Sequence, residues 1–263
     1  MPELDAGATT SPGAAALAAL SRGANRAVGL TGAGISVPSG IPDFRSPGTG
    51  LWANVDPMEV AHVEAWRRAP DRFWAFYRER FVALVDIRPN PAHLAVAELE
   101  RRGAVRAVLT QNIDRLHQLA GSRRVVELHG SIEFSRCMRC GDRVPLGRVL
   151  ERLARSDGAP RCAACSSALK PDVVLFGELL PEDAMAEAQR LASKADLMLC
   201  IGSSLTVHPV AWLPELTLDT GGRLAIVTSG HTPYDSQAAV KLEGDVVNEL
   251  EGVLAALGRQ APD

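Results

Sequence analysis

The amino-acid sequence predicts an α/β protein: a doubly wound, mostly parallel sheet interrupted by a helical insertion and by a small cysteine-rich module. Two observations carry this prediction. Short apolar runs alternate with amphipathic stretches along most of the chain, the pattern of parallel strands joined by helices that cover both sheet faces. The alternation then fails twice: over about residues 57–87, which are helix-like with no strand, and over about 134–169, which hold four of the five cysteines.

Taken in order, residues 1–13 are rich in Pro, Gly, Ala and Thr and read as a disordered tail. They have neither a basic start nor an apolar stretch, so they do not read as a signal peptide. The runs Arg26–Leu30, Val105–Leu109, Val125–Leu128, Val173–Phe176, Leu197–Ile201 and Leu224–Val227 read as strands. Pro91–Arg102 reads as a helix, with Pro at its start, Leu94, Ala95 and Leu99 on one face and Gly103 just beyond. Glu182–Lys194 and Val246–Leu257 read likewise. The sheet domain therefore spans 14–133 and 170–263, with the cysteine module, 134–169, inserted between.

A chain of 263 residues suits one large domain with a small module. Its 46% hydrophobic and 22% charged residues are ordinary globular values and exclude wholesale disorder. A net charge of −3 gives no reason to expect a nucleic-acid backbone as the main ligand. No apolar run approaches the roughly 20 residues that span a bilayer, so no membrane partner is expected. The cytoplasm is the expected location, and disulfides are rare there.

Cys137-Met-Arg-Cys140 and Cys162-Ala-Ala-Cys165 are two Cys-x-x-Cys pairs. Two such knuckles can aim four thiolates at one tetrahedral Zn²⁺. An iron–sulfur cluster takes the same four ligands, and two disulfides are disfavoured by compartment. With all four positions filled by protein, a zinc here is structural, closing a segment too small for its own core. Cys200, inside an apolar run, reads as a buried free thiol.

Gly32-Ala33-Gly34 follows a strand-like run, a setting in which backbone amides can approach a phosphate. Taken alone this signal is weak, because Val37 stands where the third glycine of the dinucleotide fingerprint belongs. Downstream, Gly40-Ile-Pro-Asp-Phe-Arg45 places a rigid turn, a carboxylate, an aromatic and a guanidinium close by. Thr110-Gln-Asn-Ile-Asp114 ends one strand, Gly202-Ser-Ser204 ends another, and Gly244-Asp245 precedes the last helix. Polar groups at the C-terminal ends of strands sit where open α/β sheets bind ligands. Of six histidines, His93 and His117 read as packed or solvated. His129 ends an apolar run before Gly130, where its side chain would point into the strand-end crevice as a candidate base, although position alone favours a structural histidine.

These motifs, with Leu128-His-Gly130 and Val173-Val-Leu-Phe-Gly-Glu178, resemble those of the sirtuins, the NAD-dependent protein deacylases, in order and spacing over about residues 14–258. The resemblance implies a Rossmann-like NAD-binding domain with an inserted zinc module. It also implies removal of acyl groups, foremost acetyl, from protein lysines, giving nicotinamide and O-acyl-ADP-ribose. His129 becomes the general base, with Asn112 and Asp114 catalytic beside it. Gly32, Ala33 and Gly34 should lie along the NAD phosphates. Ile35, Phe44, Asn112, Ile113 and Asp114 should surround the nicotinamide, Arg45 and Gln111 the phosphate and ribose, and Asp43 belongs to the same cofactor site. Gly202, Ser203, Ser204, Thr228, Asp245 and Val246 should meet the adenosine side. Val174, Phe176, Gly177 and Glu178 should line the acyl-lysine groove, and Cys137, Cys140, Cys162 and Cys165 should hold zinc.

Two departures matter. Thr228 stands where the family often has an Asn that binds the adenosine ribose. Tyr77 and Arg80 resemble the pair with which desuccinylases and demalonylases bind an acyl carboxylate, whereas Val37 and Asp43 follow the deacetylase pattern. The rival readings are ADP-ribosyl transfer to protein and a non-enzymatic NAD sensor. The arginines at 136, 139, 143, 148, 152 and 155 read as a solvated face rather than a nucleic-acid patch.

Overall fold

The structure is a computed structural model that describes residues 11–43, 50, 55–155 and 158–258. Its main sheet has six strands: β1 (Ala27–Thr31), β2 (Val108–Thr110), β3 (Val125–Glu127), β7 (Leu197–Ile201), β8 (Arg223–Val227) and β9 (Ala238–Leu242). They lie in the order β3-β2-β1-β7-β8-β9, and every pairing is parallel. Chain order therefore reverses between β1 and β7. A crevice opens at such a switch point, beyond the carboxyl ends of the strands.

Both faces of the sheet are covered. Alternate side chains of β7 serve opposite cores: Leu197, Leu199 and Ile201 pack with α1 (Pro12–Gly23), α5 (Pro91–Arg101) and α10 (Val246–Leu257). Met198 and Cys200 pack with α8 (Glu182–Ala192) and α9 (Leu213–Asp219). This is why the strands read as continuous apolar runs rather than as alternating ones. The helices begin where a polar side chain accepts from the first free amides. Ser11 Oγ takes Ala14 N at 3.0 Å, and Asn90 Oδ1 takes Ala92 N at 2.9 Å. Asp245 Oδ1 takes Val247 N at 3.0 Å.

A second sheet, antiparallel and three-stranded, has the order β5-β4-β6, with β4 (Gly130–Cys137), β5 (Arg143–Pro145) and β6 (Leu169–Val173). It shares a core with α7 (Leu146–Arg155), α3 (Val63–Arg68) and α4 (Pro70–Asp86), centred on Trp66, Phe73, Trp74, Phe81 and Leu169. The indole N–H groups of Trp66 and Trp74 both donate to the Leu169 carbonyl, at 3.1 and 2.8 Å. The helical insertion, which starts with the short α2 (Pro57–Val60), thus packs on the cysteine module. The other short helical segments include α6 (Leu116–Leu119) and the turn Val210–Trp212 ahead of α9.

Three expectations need correction, and one strand was not anticipated. The helix α1 begins at Pro12, inside the span read as tail, because Ala14, Leu17 and Ala18 are fully buried beside α10. The run Val173–Phe176 is not a strand of the main sheet: only Val173 is strand, at the end of β6. The antiparallel sheet extends from Gly130 to Val173, wider than 134–169. The edge strand β9 gave no apolar run, since only Leu242 of its five residues is buried.

Candidate active site

The carboxyl ends of β1 and β7 meet backbone to backbone. Gly34 N donates to Gly202 O at 2.8 Å, and Gly32 N to Ile201 O at 3.0 Å. A Cβ on Gly34 would lie 2.8 Å from Gly202 Cα, and one on Gly202, at φ +61°, would lie 2.3 Å from Ile35 N. These glycines are thus required by the packing of two loops, a constraint that the sequence pattern alone could not separate from phosphate binding. Ile35 is fully buried and anchors the turn in the core. Asp43 is half-buried; Phe44 and Arg45 lie outside the described residues.

The segment after β2 turns its polar side chains into the same place. Gln111 Nε2 donates to Ser203 Oγ at 2.9 Å, joining the β2 and β7 loops. Asn112, 8% exposed, spends both amide protons, on Gly32 O at 3.1 Å and Ser36 Oγ at 3.0 Å. Its Oδ1 remains an acceptor. The Ser36 hydroxyl donates to Asp114 Oδ2 at 2.7 Å, and Asp114 Oδ1 accepts Leu116 N at 2.9 Å. Burial holds the Asp114 carboxyl above its ordinary range, and the bonds from Leu116 and Ser36 offset part of that rise. Ile113 points the other way, against the core beneath α4.

His129 follows β3. Its Nδ1 is 3.0 Å from the Gln111 carbonyl. A carbonyl only accepts, so Nδ1 carries the proton and Nε2 keeps its lone pair in the neutral ring. Burial lowers the His129 pKa, opposed by that same bond, so the neutral form prevails at neutral pH. Gly130 sits at φ +73°, and a Cβ there would come within 2.1 Å of Asp172 O. Glycine is needed to turn the chain from β3 into β4 with His129 at the corner.

Behind these groups lies a buried layer that sequence reasoning missed. Ser36 Oγ already gives its proton to Asp114, so His93 Nε2, 3.3 Å away, must be the donor to it. Thr31 Oγ1 donates to Thr110 Oγ1 and lies 2.9 Å from His117 Nε2, while Thr110 Oγ1 accepts Asn112 N at 3.1 Å. The two imidazoles meet edge to face, 5.1 Å between centroids. Burial lowers their pKa values to about 4 for His93 and about 3 for His117. From the sequence both histidines read as ordinary packed or solvated side chains. The missed signal was Ser36, whose hydroxyl links His93 to Asn112 and Asp114.

Of the remaining residues, Ser203 Oγ also accepts Leu205 N, and Ser204 bonds Thr206. Ala33 stands between the two glycines, and Thr228 follows β8 with its amide on Leu242 O at 3.0 Å. The Asp245 carboxylate is engaged as the cap of α10, with Val246 next to it. Val174 N donates to His129 O at 2.8 Å, and Phe176 bridges to His62. Gly177 and Glu178 follow directly. Tyr77 and Arg80 sit on α4. Tyr77 stacks on Phe81, and its burial raises the phenol to about 12 against the opposing charge of Arg80. Arg80 donates to Phe76 O at 2.5 Å and lies 3.8 Å over the Phe76 ring.

All five cysteines are free thiols. The Sγ atoms of Cys137, Cys140, Cys162 and Cys165 lie within 4.8 Å of one another, the shortest separations being 3.4 and 3.5 Å. A tetrahedron with Zn–S near 2.3 Å has edges of about 3.8 Å, so the four can hold one zinc and leave no open position. Cys200 is fully buried, which pushes its thiol up to about 12. No helix of the described residues is long and apolar enough to cross a membrane.

Comparison with known proteins agrees with this geometry. The Sir2 family model matches residues 32–209. The NAD-dependent protein deacetylase of Thermotoga maritima is 46% identical over 86% of this chain and 91% of its own. The NAD-dependent protein deacylase of Thermococcus kodakarensis is 46% identical over 85% and 89%. Among solved structures, a Sir2–p53 peptide–NAD⁺ complex matches with a TM-score of 0.84 and 44% identity, covering 91% of this chain and 96% of that one. Sir2Tm bound to a propionylated peptide matches at 0.83 and 43%, with the same coverage. The parallel sheet with its switch-point crevice, the four-cysteine cluster and these matches agree: the chain belongs to the Sir2 family.

Proposed function

We propose that this chain is an NAD-dependent protein-lysine deacylase, acting foremost on acetyl-lysine and releasing nicotinamide and O-acyl-ADP-ribose. The observation that carries this reading is the state of His129: a neutral imidazole with Nδ1 held by Gln111 O and an unprotonated Nε2. Such a ring accepts a proton without prior rearrangement. When bound, NAD supplies the electrophilic ribose carbon and the nicotinamide leaving group. Asn112 Oδ1 and the Asp114 carboxylate present acceptors to a carboxamide NH₂, and both are fixed by Ser36. His129 Nε2, unprotonated and facing away from the Gln111 carbonyl, would accept a proton from a ribose hydroxyl of the bound cofactor. Gln111 and Ser203 tie the two phosphate-side loops together. The peptide substrate is expected to lie extended along Val174–Glu178. A zinc held by the four cysteines supplies no chemistry to this step. It would tie the end of β4, at Cys137, to the loops carrying Cys140, Cys162 and Cys165.

The relatives' names and complexes support the same reading: one relative is an NAD-dependent deacylase, and related structures hold acetylated or propionylated peptides. A cytoplasmic location accords with five free cysteines, four of them arranged for a metal. The module's arginines are partly neutralised within it, Arg136 and Arg143 by Asp172 and Arg148 by Glu151, which argues against a nucleic-acid surface. His129→Ala tests the function. Loss of a general base costs about 10²–10⁴-fold in turnover, with folding and zinc content unchanged. Near wild-type deacylation by the purified variant would refute the assignment.

A further inference from the structure

Lys170 is one of three lysines in the chain and sits in β6 with its side chain only 7% exposed. An ammonium has three protons, and all three are used. Nζ donates to Pro171 O at 3.1 Å, Val173 O at 2.7 Å and Glu178 Oε2 at 2.8 Å. Glu178 Oε2 in turn accepts Leu175 N at 2.9 Å, and Glu178 N donates to Leu175 O at 3.0 Å. The chain from the end of β6 to Glu178 is therefore wrapped round one buried charge.

The same segment is pinned at two other points. Val174 N bonds the His129 carbonyl. Phe176 exchanges bonds with the helical insertion, its N–H reaching Ala61 O at 2.9 Å and its carbonyl accepting Val63 N at 2.9 Å. The segment thus runs between the His129 backbone and the insertion, and Lys170 Nζ bonds both Val173, just ahead of it, and Glu178, at its end. A buried ion pair is a weak source of stability, because desolvation offsets its attraction. Its strength lies in direction: three acceptors must converge on one point.

We propose that Lys170 is a positioning residue for the acyl-lysine substrate. Through Val173 O and Glu178 it sets the backbone of Val174–Glu178, and it holds the Glu178 carboxylate inside the fold rather than leaving it to contact substrate. This rests on the deacylase reading above. It predicts that loss of the ammonium weakens peptide binding and spares NAD, because among the described residues the Lys170 ammonium bonds only Pro171, Val173 and Glu178.

The test is steady-state kinetics of the full-length, zinc-loaded protein with an acetyl-lysine peptide and NAD varied separately. Loss of one charge-assisted bond network in Lys170→Met should raise the peptide KM by about tenfold or more, with kcat at saturating peptide and the NAD KM within about threefold. Lys170→Arg, which keeps charge and donors, should recover most of the peptide KM. Glu178→Gln, which keeps the size and breaks the ion pair, should move the peptide KM in the same direction and stands in if Lys170→Met does not fold. An unchanged peptide KM in the folded Lys170→Met or Glu178→Gln protein, or an NAD KM that rises as much as the peptide KM, overturns the inference alone. A wild-type protein that turns over no acyl-lysine peptide overturns the deacylase reading and the inference with it.

Discussion

Replacing Ser36 by alanine should damage both stability and cofactor use, although Ser36 belongs to no catalytic pair of its own. Its hydroxyl makes three contacts: it donates to Asp114 Oδ2 at 2.7 Å, accepts Asn112 Nδ2 at 3.0 Å, and meets His93 Nε2 at 3.3 Å. Its removal deletes a bond to a charged group, worth about 1.5–3 kcal/mol, and orphans the fully buried His93 N–H, at about 1–3 kcal/mol. A loss of about 3 kcal/mol or more follows, a large share of the roughly 5–15 kcal/mol that holds a typical fold. With a urea slope of about 3 kcal/mol per molar, the unfolding midpoint should fall by about 1 M. The pH dependence carries the sign of the Asp114 shift. Burial raises that carboxyl and Ser36 pulls it partly back, so the variant's Asp114 is raised further. A carboxyl with a raised folded pKa penalises the fold above that pKa, and the penalty disappears as pH falls below the unfolded value. The deficit of Ser36→Ala should therefore narrow as pH falls through the carboxylate range. Urea melts at several pH values, with KM for NAD alongside, test this. A midpoint within about 0.2 M of wild type, with an unchanged NAD KM, would refute the reasoning.

Acid should destabilise the wild type through His93 and His117. Their pKa values fall from 6.5 to about 4 and about 3 on folding, so the unfolded chain binds more protons below about 6.5. At about 1.4 kcal/mol per unit, several kcal/mol should be lost between there and the folded values, and a flat stability profile over that interval would contradict it. Cys137→Ser or Cys162→Ala should lower stability and zinc content, since a site with one ligand removed binds metal poorly. Metal analysis of the wild type should return about one equivalent of zinc, and a metal-free, fully stable protein would refute the assignment. Arg80→Met should leave deacetylation nearly unchanged, because the guanidinium is turned onto the Phe76 carbonyl and ring. A wild type that prefers succinyl-lysine, with that preference lost in the variant, would place the protein with desuccinylases instead.

The sequence by itself determined the central strands of the sheet and the four cysteines that the fold gathers into one cluster. Strands buried on both faces must be apolar throughout, so β1, β7 and β8 announce themselves as runs. Two Cys-x-x-Cys pairs declare their chemistry through ligand type and spacing. The edge strand β9, mostly half-exposed, and the helix α1, whose small alanines contact α10, carry no such pattern. Tertiary structure alone decided what each polar group does. Gly34 and Gly202 meet across 168 positions of chain only because β1 and β7 are neighbours. Ser36, His93 and Asp114 become one unit, and Lys170 becomes the centre of a turn, through contacts that no local propensity encodes. A hydroxyl or an ammonium has the same pattern in sequence whether water or a buried carboxylate is its partner. Only the packed chain, by removing the water, decides which.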